Sequence, residues 1–225
     1  DYFGSFKNKF NKKKLNLFFS RLSIIDIKKR SNQPMKKHNK VLIFNGEIYN
    51  YLDLKKQLIK LGHKFRTNGD TEVLLNSYIE WGENCLQKLE GMFAFAIWDK
   101  KTRCLTLVRD RTGEKPLYYG WQTKNGSKVF LFGSELKALK VHPIFNNDIN
   151  RDTITLQLRH SCIPAPYSIY KNIYKLLPGH YLQLKEKDLK NGFTPNLKNY
   201  WSLSEIAING NKNQIKGSDE DIIKN

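Results

Sequence analysis

Apolar side chains at helical spacing predict two helices in the first half of the chain. Asn50 is placed to cap the first of them with its side chain, and Gly62 fits its end. The second begins near Thr71, and a shorter helical segment that closes at Gly91 follows it. The apolar faces are formed by Leu54, Leu58 and Leu61 in the first helix and by Leu74, Tyr78 and Trp81 in the second.

Apolar runs without a helical period predict buried strands. Residues 41–44 form one such run, and residues 17–27 indicate a strand and a turn. The polar stretch up to about Asn16 is predicted to be a loop or the tip of a hairpin. Helices followed by strands indicate a layered α+β domain. An antiparallel meander is predicted from four runs that turns separate, at 92–99, 104–110, 115–121 and 129–134.

The pattern changes after Glu135. A short helix, proline-containing loops and a strand near residues 180–184 are predicted there. The last twenty residues are rich in Asn, Lys, Gly and Asp, which is typical of a linker.

Charge and cysteine content narrow the function classes. The 225 residues carry a formal net charge of +18, so nucleic acid has to be considered as a partner. The lysines are scattered and often lie beside asparagine, which favours a solvated basic surface instead. Three distant cysteines without Cys/His ligand spacing predict neither a disulfide framework nor a metal site. The sequence shows no run long enough for a membrane span and no signal peptide, so a cytoplasmic location is expected.

Asn45 and Gly46 follow the apolar run 41–44 and offer two hydrogen-bond donors in one place. The asparagine side chain supplies an amide, and the glycine leaves its backbone N–H unobstructed. Donors of this kind can hold the oxyanion that forms during acyl transfer. Alone, however, an Asn-Gly pair more often marks a turn.

Two further charged residues make a ligand site a stronger interpretation. Arg21 lies inside an apolar strand, where its guanidinium needs a carboxylate, either from a ligand or from the protein, for instance Asp26. Asp70 either caps the second helix or binds an ammonium group. An arginine together with an aspartate would hold an α-amino acid at both of its charged groups.

Eight motifs occur in order over most of the chain, and together they resemble the glutamine-hydrolysing part of bacterial-type asparagine synthetases. The resemblance implies a class II glutamine amidotransferase with the four-layer α/β/β/α sandwich of N-terminal-nucleophile hydrolases. The motifs are RLSIIDI with a following QPM, FNGEIYNY, GDTEVLL, LEGMFAFAIWD, VRDRTGEKPLYYG, FGSELKAL and LPGHY.

The resemblance implies a glutamine pocket at specific positions. Arg21 would face the α-carboxylate of glutamine, and Asp70 would bind its α-amino group. Asn45 and Gly46 match the oxyanion hole, and Glu47 completes the Asn-Gly-Glu triplet. The remaining residues of the glutamine-binding strand would be Leu22, Ser23, Ile24 and Ile25.

In this family the nucleophile is an N-terminal cysteine whose own amine can serve as its base. The present sequence begins with Asp1, so the fold is expected to be truncated at its start and the fragment to be inactive by itself. The cysteines present are expected to pack as small apolar side chains instead, at positions Cys85, Cys104 and Cys162.

The expected domain layout is an amidotransferase domain over residues 1–185 and a linker over residues 186–225. No cofactor is expected in this part. A following synthetase domain would bind ATP, Mg²⁺ and aspartate, and the resemblance leaves a homodimer open. The charged run 109–111 is expected to form a structural ion network at a strand turn, with a role at the interface to the following domain as the alternative.

Two other functions remain open at this point. One is an amidotransferase of the same layout that acts on a carboxylate other than aspartate. The other is a non-catalytic module that senses glutamine or binds RNA through its positive charge.

Overall fold

A computed structural model describes residues 2–11, 13–21, 25–190 and 196–213. Its largest element is a six-stranded sheet in which all neighbouring strands are antiparallel, in the order β11-β10-β6-β5-β4-β3. The strands are β3 (Met35–Lys37), β4 (Lys40–Ile48), β5 (Gly91–Asp99), β6 (Cys104–Arg109), β10 (His180–Lys185) and β11 (Leu197–Asn199).

Strand β5 is buried on both faces because its side chains alternate between two cores. Its odd-numbered side chains face helices α1 (Tyr51–Lys60) and α2 (Asp70–Trp81). Its even-numbered side chains face a second sheet. This explains why the run 92–99 is almost entirely apolar. The two sets are Phe93, Phe95 and Ile97 on the helix side and Ala94, Ala96 and Trp98 on the other.

The second sheet has three strands in the order β8-β7-β9, and helix α3 (Leu136–Lys140) packs on its outer side. Helices, sheet, sheet and helix therefore form four layers, which confirms the predicted α/β/β/α sandwich. The strands are β7 (Tyr118–Lys124), β8 (Ser127–Gly133) and β9 (Tyr174–Lys175).

A long hairpin forms the start of the chain, with β1 (Tyr2–Phe10) paired to β2 (Lys13–Arg21). The prediction of a loop or the tip of a hairpin up to Asn16 was therefore wrong for most of this stretch, because residues 2–10 and 13–16 lie in the paired strands of the hairpin. Leu17 is buried in the core shared with the second sheet, whereas Phe3 and Phe18 are exposed on the outer face. The many Lys and Asn side chains of this segment lie on a strand with one solvated face.

Two predictions about strand arrangement were wrong. The runs 92–134 do not form one meander, because β6 is the last of them in the six-stranded sheet and β7 belongs to the other sheet. Strand β4 also continues to Ile48, so Asn45 and Gly46 lie within a strand and not in a turn after it.

The helix predictions were correct in position. Asn50 is the N-cap residue of α1, but its side chain makes no cap bond and instead joins the segment before β5, through Lys88 and Glu90. Two further helices are α4 (Asp152–His160) and α5 (Leu203–Lys212). Among the described residues, no helix is long and apolar enough to cross a membrane.

Candidate active site

The backbone of Gly46 points toward a sheet edge that β3 leaves open. Gly46 is paired with Phe93 of β5, yet the N–H and C=O of Phe93 are both bonded to Asp110. Bonded and non-bonded pairs alternate along an antiparallel ladder, so the N–H of Gly46 is directed away from β5. Strand β3 ends its pairing at Leu42 and does not cover this position.

The side chain of Gln33 completes the edge of β4 just before this point. Its amide nitrogen donates to the carbonyl oxygen of Phe44 at 3.0 Å, and its amide oxygen accepts from the N–H of Phe44 at 2.6 Å. Gln33 is buried and stands where a continued β3 would pair with Phe44. A carboxamide thus replaces one backbone unit of a strand, and the edge becomes open again at Gly46.

Asp70 lies on the far side of the same edge. It is the first residue of α2, and its Oδ2 accepts a hydrogen bond from the N–H of Ile48 at 3.0 Å. Gly69, and not Asp70, is the N-cap residue of α2, so the prediction that Asp70 caps the helix was wrong. Asp70 is 6 % exposed, and burial raises the pKa of its carboxyl group, with Glu47 adding a further repulsion. A bound ammonium group would offset that burial.

Arg21 is the last residue of β2 and is 6 % exposed. Its guanidinium donates to the carbonyl oxygens of Ile25 (3.0 Å) and Asp26 (2.6 Å) and to the side-chain oxygen of Asn32 (3.1 Å). All three acceptors are neutral, so the alternative of a salt bridge to the Asp26 carboxylate was wrong. Among the described residues no carboxylate forms an ion pair with Arg21. A buried cation without a counter-ion favours an anionic ligand.

The carboxylate of Asp26 joins the Arg21 side of the site to the Asp70 side. Its Oδ2 accepts a hydrogen bond from the backbone N–H of Asn68 at 2.8 Å, two residues before Asp70. That bond is the main reason why the pKa of Asp26 is lowered to about 2. Sequence reasoning considered Asp26 as a partner of Arg21 and missed this link.

These bonds close into a ring around the open edge. The ring runs from Arg21 through Asn32 and Gln33 to β4, and from Ile48 through Asp70 and Asn68 to Asp26, whose carbonyl returns to Arg21. The predicted site residues Arg21, Ile25, Asn45, Gly46, Glu47 and Asp70 all lie on it or on the strand segment that it encloses. Leu22, Ser23 and Ile24 lie outside the described residues.

Asn45 is tied to the second sheet. Its amide nitrogen donates to the hydroxyl oxygen of Ser134 at 3.3 Å, just beyond the end of β8. An amide nitrogen carries two protons, so this bond leaves the other proton for a ligand. Ser134 is therefore a contact that the sequence motif FGSELKAL did not reveal.

Gly46 needs its lack of a side chain because the backbone of the paired strand β5 lies too close to it. Gly46 has φ of 148°, and a Cβ atom on it would lie 2.1 Å from the carbonyl oxygen of Met92. Gly91 has φ of 149°, and its Cβ would lie 2.1 Å from the carbonyl oxygen of Glu47. The two backbones approach too closely here for any other residue type.

Asp110 holds the opposite side of Gly46 in place. It is fully buried, and its carboxylate accepts bonds from the N–H groups of Phe93 (3.1 Å), Glu114 (2.9 Å) and Lys115 (2.9 Å). The neighbouring Arg109 donates to carbonyl oxygens of residues 113, 115 and 176. The run 109–111 is thus structural as predicted, but its bonds go mainly to backbone groups and not to opposite charges.

Two of the three cysteines are buried. Cys85 lies in a short helical segment, and Cys104 lies on β6, far from this edge. Burial raises the pKa of both Cys85 and Cys104, which disfavours their reactive thiolates. Cys104 is opposite Asp99, six residues along β5 from Phe93, or about 20 Å. Cys162 is exposed, so the prediction that it packs as a small apolar side chain was wrong.

Comparisons with known proteins identify the family of the chain. A family profile described as Glutamine amidotransferase domain matches residues 4–201. The chain is 42 % identical to asparagine synthetase [glutamine-hydrolyzing] 3 of Bacillus subtilis over 189 residues, which cover 81 % of this chain and 29 % of that protein. It is 34 % identical to putative asparagine synthetase [glutamine-hydrolyzing] 2 of Methanocaldococcus jannaschii over 222 residues, covering 90 % and 41 %. The chain thus spans well under half the length of these relatives.

Solved structures share the fold. Glutamine phosphoribosylpyrophosphate amidotransferase from B. subtilis superposes with a TM-score of 0.55 at 21 % identity, over 84 % of this chain and 35 % of that chain. A second structure, described as the allosteric regulatory enzyme of purine biosynthesis, gives 0.54 at 21 % identity over 77 % and 32 %. These similarities confirm the N-terminal-nucleophile hydrolase type of the fold.

Proposed function

The chain belongs to the glutamine amidotransferase domain family, and on that premise we propose that it is the glutaminase part of an ATP-dependent asparagine synthetase. In this role it binds glutamine, contributes to hydrolysis of the side-chain amide to glutamate, and supplies the ammonia. The observation that carries the proposal is the open edge at Gly46, which lies between a buried, unpaired Arg21 and a buried Asp70.

Each group around the edge has a role toward glutamine. Arg21 binds the α-carboxylate, because its guanidinium has only neutral partners within the part of the chain that the structure describes. Asp70 binds the α-ammonium group. The N–H of Gly46 and the second amide proton of Asn45 then face the side-chain carbonyl of glutamine, where negative charge develops during attack.

The reaction needs a nucleophile that attacks this carbonyl carbon. We assign that step to the N-terminal cysteine thiol that the family resemblance implies, since Cys85 and Cys104 are buried thiols with raised pKa values. The thiol adds to the carbonyl, the C–N bond breaks, and ammonia leaves with the proton that the thiol gave up. Water then cleaves the thioester to release glutamate.

The acceptor of the ammonia is assigned by relatedness alone. Relatives at 42 % and 34 % identity are named asparagine synthetases, and the chain spans 29 % and 41 % of their lengths. We therefore propose aspartate as acceptor, with ATP and Mg²⁺ bound in a synthetase domain of the longer protein. Another carboxylate acceptor would be consistent with the same glutamine site.

A glutaminase assay on the longer protein that includes the N-terminal cysteine tests the proposal. We expect glutamate to be released from glutamine, and ¹⁵N from the glutamine amide to appear in asparagine only when ATP and aspartate are present. Replacing Asn45 by alanine should lower kcat by about 100-fold with a smaller effect on KM. Folded protein that releases no glutamate would contradict the glutaminase assignment, and label appearing in another amide would correct the acceptor.

A further inference from the structure

We propose that Asp26 is a positioning residue that fixes the spacing between Arg21 and Asp70, and that this spacing makes the pocket selective for free α-amino acids. The inference rests on the proposed function, since it concerns the same glutamine site. It assigns to Asp26 a role that its surface ion pair with Arg30 does not suggest.

The backbone of Asp26 holds the Arg21 side. Its carbonyl oxygen accepts the shortest bond of the Arg21 guanidinium, at 2.6 Å, and the neighbouring carbonyl of Ile25 accepts another at 3.0 Å. Asp26 has φ of 47°, in the left-handed region, which turns both carbonyls toward Arg21 while its side chain points elsewhere. Two of the three acceptors that orient the guanidinium therefore depend on the conformation around this residue, and the third is the side chain of Asn32.

The side chain of Asp26 holds the Asp70 side. Its carboxylate accepts a hydrogen bond from the N–H of Asn68 at 2.8 Å, and a Cβ on Gly69 would be in ordinary van der Waals contact with the Cβ of Asp26, at 3.7 Å. Gly69 is the N-cap residue of α2, and Asp70 follows it. The start of the helix that carries Asp70 is thus attached directly to the residue that orients Arg21.

The Asp26 end of the link has little accessible surface, although Asn68 itself is exposed. The Asp26 side chain is 3 % exposed, whereas the side chain of its ion-pair partner Arg30 is 41 % exposed. An ion pair with an exposed partner contributes little to stability, because water screens the attraction between the two charges. The bond from Asn68 is the largest cause of the lowered pKa of Asp26, so the carboxylate stays charged throughout the neutral range. We therefore expect the Asn68 bond, and not the Arg30 pair, to set the spacing.

The spacing affects selectivity because both charged groups of an amino acid are attached to one carbon. If the two sides move apart, Arg21 and Asp70 cannot both reach them, and a misplacement of about 1 Å is enough to lose much of the gain. A ligand with a carboxylate but no ammonium group needs only Arg21. Loosening the link should therefore weaken the binding of L-glutamine more than the binding of glutaramic acid, the analogue that lacks the α-amino group.

The test measures dissociation constants of L-glutamine and glutaramic acid by calorimetry on the full chain. In the wild type we expect L-glutamine to bind at least tenfold more tightly. Asp26→Gly removes the carboxylate at a positive φ that glycine tolerates, and we expect it to reduce this ratio at least fivefold. Asp26→Asn keeps an oxygen acceptor at a φ that asparagine also tolerates, and should retain most of the ratio. Arg30→Ala is the control and should leave the ratio unchanged.

A general loss of stability would change the folded fraction, not the ratio between two ligands, so the ratio separates positioning from folding. If Asp26→Gly does not fold, Asp26→Glu replaces it, because it keeps the charge but moves the carboxylate by one methylene. An unchanged ratio in the folded variant would overturn the inference. A wild type that does not bind L-glutamine would overturn the proposed function as well, and this result needs no variant.

Discussion

The carboxylate of Asp70 accepts a hydrogen bond from the N–H of Ile48 at 3.0 Å, so helix α2 is joined directly to the strand that carries Asn45 and Gly46. The bond occupies the edge position two residues beyond Gly46. A ligand bound to Asp70 is thereby brought next to the Gly46 N–H. On the proposed function, this one bond would define how the amine end and the reacting end of glutamine are placed relative to each other.

Replacing Asp70 by asparagine should weaken glutamine binding about tenfold or more, because a neutral amide cannot pair with the ammonium group. Stability should not fall, since the variant removes a buried charge and keeps an oxygen acceptor for the Ile48 N–H. Calorimetric titration and thermal unfolding measure the two effects. Asp53→Asn is the matched control, because Asp53 is 71 % exposed on α1 and should leave binding intact.

Glutamine affinity should fall as the pH drops through the raised pKa of Asp70. Burial disfavours the charged carboxylate, but only that form binds the ammonium group, so binding releases a proton in this range. The effect on stability has the opposite sign: the contribution of Asp70 is full at low pH and is lost as the pH rises through its folded pKa. Titrations at several pH values check this, and a flat profile in the wild type would contradict it. Asp70→Asn should give that flat profile.

Arg21→Lys should lower glutamine affinity about tenfold or more even though the charge is kept. A lysine ammonium is a single point and cannot reach the Asn32 side chain and the two carbonyls that orient the guanidinium. Arg103→Lys serves as control, because Arg103 is 44 % exposed in a surface ion pair with Glu186. Equal affinity in Arg21→Lys and wild type would argue against a role for Arg21 in binding.

Gln33→Ala should lower the free energy of unfolding by about 2 to 4 kcal/mol, because it leaves the N–H and C=O of Phe44 without partners in a buried place. Urea unfolding measures the change. Gln87→Ala also removes a side-chain bond to a backbone carbonyl, that of Tyr200, but at an exposed site. Its effect should stay below about 1 kcal/mol, and similar values for the two variants would contradict the edge role of Gln33.

Gly46→Ala and Gly91→Ala should each cost more than about 2 kcal/mol, since each Cβ would lie 2.1 Å from a carbonyl oxygen and each φ is positive. Gly210 has open space around it inside α5, so Gly210→Ala should be neutral or stabilising by up to about 1 kcal/mol. Thermal unfolding of the three variants gives the comparison. A Gly46→Ala variant as stable as Gly210→Ala would show that the close approach to Met92 is absent.

Much of the fold could be predicted because its signals are local. The apolar positions of α1 and α2 recur at helical spacing, and the run 92–99 is apolar on both faces of β5. The division of the strands between two sheets could not be predicted, because the turn between β6 and β7 carries no sign that pairing stops there. The hairpin was obscured because its outer face is polar and only side chains such as Leu17 are buried.

The site was predictable in residue identity more than in geometry. Motifs placed Arg21, Asn45, Gly46 and Asp70 together, and the two charged residues were recognised as an α-amino acid pair from chemistry. The bonds of Gln33, Asp26 and Ser134 were missed, since each connects residues 11 to 89 positions apart and no spacing rule reports such contacts. The short-range preference of an Asn-Gly pair indicates a turn. It cannot show that the pair lies within a strand whose neighbour carries Gly91.

The edge of β4 also determines which molecules are kept out. An extended peptide could add to a sheet as a new strand only by pairing with several consecutive edge groups. Here the side chain of Gln33 occupies the position before Gly46, and that of Asp70 occupies the position after it. Between these two positions only the backbone groups of Gly46 are left for a partner, so a neighbouring polypeptide finds no run of consecutive edge groups on which to assemble.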